Sequence, residues 1–335
     1  MIWVYDTSLT ALAAINNYTS FQFKRELRNK GSFTLAIAKN KQNTEHLQVG
    51  NIIAMNPETS GVIVERTVSQ SSAGEMLIVR GTSLLGILNY RITRAYTKTN
   101  KTETVAKDIV DVNMVSAVDT NRNVSSLSIA ADGAGGTSQV FDSANEPLLK
   151  ALERLLSVDN YGQEITLQTS GLVYDVIKGT NRSASVQFSN KIYNLTEASR
   201  TISTSNNKTF VYFDGATVTN QTYGTTTGLN RIELYLKDST TDTTADRCKQ
   251  ELQGKYYKTD AISGKIRIVG NPFEYKTHYD LGDTVSVIFD GTVFQVQITE
   301  VMEKYDSNGL SIDLTFGTPR RDVADIISDI KEREK

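Results

Sequence analysis

Apolar and polar residues alternate with period two along much of this 335-residue chain, and the alternation is sharpest near its C-terminal end. In THYDLGDTVSVIFDGTVFQVQITEV, residues 277–301, Asp290-Gly291 separates two such runs. An Asp-Gly pair tolerates the two positive φ angles of a tight hairpin turn, so the stretch predicts a two-residue hairpin. Phe289 then faces Thr292, Val287 faces Phe294 and Val285 faces Val296. One face carries Val285, Val287, Phe289, Phe294 and Val296 and must cover a core. The other is mostly Thr284, Ser286, Gln295 and Gln297, polar and nearly uncharged. What that face looks at is a question about function.

The same layout occurs twice. HLQVGNIIAMNPETSGVIVERTVSQSSAGEMLIVRG spans 46–81, and HYDLGDTVSVIFDGTVFQVQITEVMEKYDSNGLSIDLTFG spans 278–317. Each begins with His, two residues, Val or Leu, Gly, and Asn or Asp. A strand, a turn ending in glycine and a second strand follow. A Glu, a polar glycine loop, a third alternating strand and a closing glycine complete each copy. So aligned, Gly50, Gly61, Gly74 and Gly81 match Gly282, Gly291, Gly309 and Gly317. In the last strand Leu310, Ile312, Leu314 and Phe316 share one face, and Ser311, Asp313 and Thr315 the other. Turn glycines recur in any meander, but the shared order, His and Gly-[Asn/Asp] point to a duplicated three-strand meander.

Between the copies the pattern changes. Residues 2–5, 18–28 and 33–38 read as strands. TETVAKDIVDVNM, 102–114, predicts a short helix with Val105, Ile109 and Val112 on one side. ADGAGG, 131–136, reads as a flexible linker. Pro147 opens a helix whose stripe is Leu148, Leu149, Leu152, Leu155 and Leu156, with Ser143 and Glu146 placed as a capping box. Strands resume over 164–170, 172–179, 184–190, 210–215 and 230–238. A third helix is expected over about 243–257, with Ala245, Cys248 and Leu252 inward. RRDVADIISDIKEREK, 320–335, reads as a charged helix with Val323, Ile326, Ile327 and Ile330 on one stripe, expected to pack on a partner.

Composition narrows the class. Hydrophobic residues make up 39% of the chain, enough for real cores, and the formal charge of -2 draws it to neither nucleic acid nor membrane. One cysteine, Cys248, forms no internal disulfide. The N-terminus lacks the basic and apolar regions of a signal peptide, and no apolar run is long enough to span a bilayer. We expect a soluble chain made in a cytoplasm.

Candidate chemistry is sparse. His46 and His278 hold the same place in the two copies, but neither lies in a metal-binding spacing, so each reads as a polar residue leading into a strand. Cys248 sits on an inward helix stripe, as a small buried hydrophobe does. A G-x-S-x-G elbow is absent. Asp119, Asn121 and Asn123 begin like a calcium loop but lack its sixth-position glycine and its final Glu. ADGAGG lacks the Gly-Lys-[Ser/Thr] ending of a phosphate loop. Glu65 and Glu300, equivalent in the copies, would form an acid pair only if the fold joined them. The basic runs, such as Lys24-Arg25 and Arg320-Arg321, are short and scattered. We expect no catalytic, cofactor-binding or metal-binding residues and no cofactor.

At this point the chain resembles a family. VYDTSLTALAAINNYTSFQFKRELRNKGSFTLAI, GVIVERTV, LIVRGTSLLGILNYRI, GLVYDVIKGTNRSASVQFSN, NRIELYLKD and the closing YDLGDTVSV…ITEV…GLSIDLTFG occur in the order seen in tail-hub proteins of long-tailed bacteriophages, also called minor or prophage tail proteins. The resemblance implies a mainly β fold with short helices (α+β), with two related tube-like β domains near the chain ends and α+β material inserted between. It implies divisions at 1–98, 99–270, 271–318 (joined by strands from the insert) and 319–335. It also implies a non-enzymatic homotrimer whose duplicated domains make a pseudo-sixfold ring on the tail tube. Implied partners are the distal tail ring protein, the tape-measure protein and receptor-binding tip fibres, with phage DNA only in transit. The implied place is the virion tail tip, assembled in the bacterial cytoplasm. Ending one helix after the last strand, the chain resembles a hub core without a lysin or fibre extension. The polar hairpin face would then border a hydrated channel, where strong basic residues would make DNA stick. Two rivals remain: the hub of a contractile tail or injection particle, and a β-rich carbohydrate-binding or cell-wall-degrading protein. The last predicts clustered exposed aromatics or a carboxylate pair in a cleft.

Overall fold

The computed structural model describes residues 1–72, 74–213, 216–219, 227–236 and 244–318. The helix expected at 319–335, its apolar stripe and the 319–335 division lie outside the described residues. The architecture is mainly β, 47% strand against 17% helix.

The N-terminal part contains β1 (Ile2–Tyr5), β2 (Ala11–Ile15), β3 (Ser20–Glu26), β4 (Ser32–Ala38), β5 (Ile52–Ala54), β6 (Ser60–Ser71) and β7 (Gly74–Ser83). Alternation explains them: Phe21 and Phe23 of β3, Phe33, Leu35 and Ile37 of β4, and Leu77 and Val79 of β7 are buried together. Their hydrogen-bonded order is β3-β4-β7-β6-β5-β1-β2.

An α+β layer follows, with β8 (Tyr96–Lys101), α1 (Thr102–Val110), β9 (Leu127–Ile129), β10 (Ser138–Ser143), α2 (Leu148–Ser157), β11 (Gly162–Gln168) and β12 (Gly171–Ile177). The five leucines predicted for the second helix are all buried against α1, Phe141 and Tyr174. Two expectations change here. Ser143 ends β10 and binds Glu146 directly at 2.7 Å, so the pair is not a capping box, and α2 begins after Pro147 with no side-chain cap. A π-helical turn over Asp111–Val115 shifts the phase of the first helix, exposing Val112 and burying Asn113 and Met114.

The C-terminal part adds β13 (Gln187–Ser189), β14 (Leu195–Ser203), β15 (Phe210–Phe213), β16 (Ala216–Thr219), β17 (Glu233–Leu236), α3 (Thr244–Gly254), β18 (Thr259–Ile266), β19 (Thr284–Phe289), β20 (Thr292–Asp306) and β21 (Gly309–Thr318). α3 packs Cys248 and Leu252 on Val211 and Leu234, while Ala245, expected inward, is exposed. The hairpin at 284–297 has the predicted register, with Asp290 at φ 48° and Gly291 at φ 73° in its turn.

Strand order reveals a duplication larger than the meander. β3-β4-β7-β6-β5 in the first part corresponds to β14-β18-β21-β20-β19 in the second. In each, a hairpin pair precedes the meander and joins its third strand. The second pair is hidden in the sequence because 55 residues, carrying β15–β17 and α3, separate β14 from β18. Fine geometry repeats too. The register slips between Ile63 and Glu65 and between Ile298 and Glu300. Gly50 N–H donates to Ile63 C=O at 2.9 Å and Gly282 N–H to Ile298 C=O at 2.8 Å. Asn51 N–H closes a turn on Gln48 C=O, and Asp283 N–H does so on Asp280 C=O. The third turn residues, Gly50 and Gly282, have φ 94° and 92°, the type II position that selects glycine.

Two of the four glycine matches are corrected. Gly74 and Gly309 both follow the second turn, with φ 115° and 100°. Gly61, however, lies within β6, whereas Gly291 is in a turn. Gly81 pairs with Ile63 as Phe316 pairs with Ile298, so its counterpart is Phe316, not Gly317. The reason is local: the Phe33 ring occupies this space, and a Cβ on Gly81 would stand 2.3 Å from it.

The two five-stranded units meet along one seam, where β20 pairs with β3 in antiparallel register from Glu300↔Glu26 to Tyr305↔Phe21. Among the described residues the result is a single 13-stranded sheet.

Candidate functional site

The long sheet presents one polar face, built by alternation. Gln22, Lys24 and Glu26 of β3 stand opposite the buried side, as do Ser32 and Thr34 of β4, Glu65 and Thr67 of β6, and Arg80 of β7. Glu300, Met302 and Lys304 of β20, Ser311, Asp313 and Thr315 of β21, Ser263 of β18 and Thr201 of β14 continue it. These eight neighbouring strands run from β14 to β6.

The named charges on this face are ion-paired. Arg80 pairs with Glu65, and Lys304 with Asp313. Lys24 Nζ lies 2.8 Å from Glu26 and 3.0 Å from Glu300, which face one another across the seam. Burial opposes the Lys24 charge, but the two carboxylates outweigh it and hold the ammonium above its ordinary range. Thr315 Oγ1 donates to Glu300 at 2.9 Å. A cleft of about 890 Å³ separates this part of the face from Lys150, Glu153 and Gly254 of α2 and α3.

The face expected to border a channel differs in detail. Ser286 is buried and donates to Ser183 C=O at 2.7 Å. Gln297 donates to Asn160 C=O and Gly282 C=O, both at 2.9 Å. β13 pairs along the edge of β19, and the chain leading into it accepts the Ser286 hydroxyl, while Gln295 stays exposed. The open polar surface lies past the bulge, and it carries compensated charges rather than few charges.

Beneath the seam sits Arg25, 6% exposed. Its guanidinium donates to Tyr275 Oη at 2.9 Å, Asp280 at 2.7 Å and Glu164 at 3.2 Å. Burial disfavours the charge, and these partners reverse that, holding Arg25 above its usual range. One side chain of β3 thereby fastens β11 and the turn before β19.

The structure separates the residues singled out as candidate chemistry. His46 lies 3.6 Å from Glu45, and His278 Nδ1 accepts from Glu274 N–H at 3.0 Å. Among the described residues no three His, Cys, Asp or Glu side chains gather as a metal site. Cys248 is buried, and burial, helped by Glu251, pushes its thiol up to about 11. Asp119 accepts from Asn121 N–H in a 3₁₀ turn. Glu65 and Glu300 hold equivalent places beside their bulges, but β3, β4 and β7 intervene, so about 19 Å of strand spacing parts them. Glu26 and Glu300 do flank a cleft. Lys24 lies between them and ion-pairs with both.

ADGAGG is not a free linker. Gly133 and Gly135 donate their N–H groups to the Glu103 carboxylate at 3.1 and 2.8 Å, and Lys107 and Lys178 ion-pair with it. Burial opposes ionisation of Glu103, yet these donors outweigh it and lower its pKa to about 2. The loop is tied around an internal anion. Only the Glu103–Lys107 spacing of four hinted at this in the sequence. Neither Arg25 nor Arg154, which binds Glu146 and Gln250 at 2.6 Å each, had any sequence signal.

Solved structures that share the fold include three tail proteins. The prophage MuSo2 43 kDa tail protein of Shewanella oneidensis is 14% identical, with a TM-score of 0.58 over 95% of this chain and 98% of that one. Prophage tail protein gp18 of Listeria monocytogenes is 18% identical, with a TM-score of 0.57 over 99% and 98%. The tail protein of Neisseria meningitidis MC58 is 13% identical, with a TM-score of 0.55 over 94% and 95%. No curated protein sequence matches the chain. The family model described as siphovirus ReqiPepy6 Gp37-like protein matches residues 1–318. With a duplicated β unit, a charge-balanced polar face and the fold of prophage tail proteins, the chain belongs to this siphovirus Gp37-like family of phage tail proteins.

Proposed function

We propose that the protein is the structural hub of a phage tail tip. Three copies form a ring that continues the tail tube, the polar sheet face lines the bore through which DNA passes, and the outer surfaces hold tip components. The carrying observation is the duplication: two five-stranded units of one order, side by side in one sheet, are what a threefold ring needs to match a sixfold tube. Each copy then supplies two quasi-equivalent sixths. Residues 20–83 and 195–318 supply the two units, and 96–177 forms a layer against them. Partners are the distal tail ring protein, the tape-measure protein and receptor-binding fibres, and assembly takes place in the host cytoplasm. The role is structural rather than enzymatic, and matched charges on the bore suit it, because a basic lining would hold DNA by counterion release.

The test is the native mass by light scattering, with negatively stained particles examined beside it. The expected result is three times the 37.0 kDa chain mass, as rings with a central hole. Single chains at every concentration tested would overturn the ring.

A further inference from the structure

Alternation in β1 turns two aromatic rings away from the N-terminal core. Ile2 and Val4 are buried in that core, so Trp3 and Tyr5 point the other way. Trp3 pairs with Ala14 of β2 on one side and Ala54 of β5 on the other, and Tyr5 pairs with Ala11 of β2. Methyl side chains on the neighbouring strands leave a large ring uncovered, and Trp3 is 44% exposed. The β11–β12 hairpin is held to the β5–β6 turn by Leu167 N–H, which donates to Pro57 C=O at 3.1 Å. Between β1 and this hairpin lies a pocket of about 300 Å³. Tyr5, Leu9 and Leu167, packed on the core of the α+β layer, form the apolar part of its wall.

The polar groups of the pocket are few and unengaged. Asn56 Oδ1 accepts from Thr59 N–H at 2.8 Å and from Lys276 Nζ at 3.3 Å, which orients the amide. Gln168 Nε2 donates to Thr166 Oγ1 at 3.3 Å. Among the described residues no hydrogen bond reaches Asn56 Nδ2, Gln168 Oε1, Trp3 Nε1 or Tyr5 Oη. The pocket therefore offers N–H donors, a carbonyl acceptor and a hydroxyl beside two aromatic rings. No residue lining it is charged. Glu58, next to the lining in sequence, ion-pairs with Lys276 at 3.0 Å. Ligand sites take this form, mostly apolar with a few convergent polar groups, and about 300 Å³ is the small end of their range.

We propose that this pocket binds one uncharged pyranose unit of a polysaccharide. A sugar ring presents C–H bonds on its face and hydroxyls around its rim. The C–H face fits the electron-rich face of the Trp3 indole, and the hydroxyls fit the free amide groups of Asn56 and Gln168. A wall without charge selects a neutral sugar over a sugar acid or a phosphate, whose desolvation it would not offset. Trp3 is itself half-exposed, so a ring stacked on it keeps one side in water, where the next sugar of a chain can continue. The inference does not depend on the ring of three copies. It adds a ligand site to a chain whose proposed role is structural. A single sugar ring should bind with a Kd on the order of millimolar.

Trp3 is the sole tryptophan of the chain, so intrinsic fluorescence reports on this pocket alone. The test titrates the whole protein with the methyl glycosides of glucose, galactose, rhamnose and N-acetylglucosamine, with the same sugars in free form, and with methyl glucuronide. The expected result is a saturable change in Trp3 emission with at least one neutral methyl glycoside and none with the glucuronide. Gln168 is exposed beside the hairpin turn, so Gln168→Ala should keep the circular dichroism spectrum and the melting temperature. It should weaken the binding roughly fivefold to tenfold, the loss of one hydrogen bond. Emission unchanged by every sugar, or a non-saturating drift common to all of them, would overturn the site. Binding that survives Gln168→Ala at full strength would overturn its placement. Equal binding of the glucuronide would overturn the choice of a neutral sugar. Binding of the free sugars without their methyl glycosides would overturn a polysaccharide as the ligand.

Discussion

Single residues hold this fold at a few buried charges. Arg25 is the clearest, because its three oxygen partners come from β11 and from the segment before β19, both distant in the chain. Removing one member of a buried ionic group strands the others. Arg25→Ala should cost about 3 kcal/mol, and a urea midpoint shift with unchanged slope would measure it. Glu103 and Glu146 make a pH prediction. Both carboxyls are lowered to about 2 against burial, Glu103 by its lysines and glycine N–H groups, Glu146 by Arg154 and its neighbours. A carboxyl lowered on folding stabilises fully above its unfolded pKa and loses that contribution as pH falls through its folded value. Stability should therefore decline from about pH 5 to about pH 2, each group contributing on the order of 3 kcal/mol. Glu103→Gln should flatten part of that decline, and an unchanged acid profile would contradict the assignment.

At the scale of elements, the two copies obey the same turn rule in different surroundings. A Cβ at Gly50 would meet open space, whereas one at Gly282 would meet Ile177 at 2.7 Å. Gly50→Ala should thus cost only the backbone penalty, about 1 kcal/mol, and Gly282→Ala clearly more. Equal losses in thermal unfolding would contradict this. The hairpin at 284–297 was legible to the residue, since Asp-Gly and strict alternation leave one register. The five leucines of α2 were equally legible. The phase of α1 was not, because a π turn adds a residue where the periodicity shows only apolar spacing. The capping box failed for a related reason: Ser143 and Glu146 have the right spacing, but Pro147 sets the helix start and Arg154 claims the Glu146 carboxylate.

At the scale of the molecule, the charges of the polar face are paired rather than absent. DNA affinity of the isolated protein should be weak and nearly independent of salt. Glu26→Lys with Glu300→Lys would surround Lys24 with like charge, and DNA retention should rise with a steep salt dependence. Tight, salt-sensitive DNA binding by the unaltered protein would contradict a passive bore.

Short-range physics reached the sequence directly. The alternating strands, the Asp-Gly turn, the leucine stripe, the type II glycines and the existence of a repeat all depend on residues close in the chain, so pattern determined them. Tertiary structure alone decided the rest. That β14 and β18 complete the second unit required a 55-residue insertion to fold away. Gly81 takes the place that Phe316 holds in the second unit because the Phe33 ring fills the space its side chain would need. Glu103, Arg25 and Arg154 became internal charges only when distant segments closed around them. Most telling are the edges of β6 past its bulge and of β14 away from β18, which pair with no further strand among the described residues: such an edge has no signature in composition or period and is defined only by which other strands have paired.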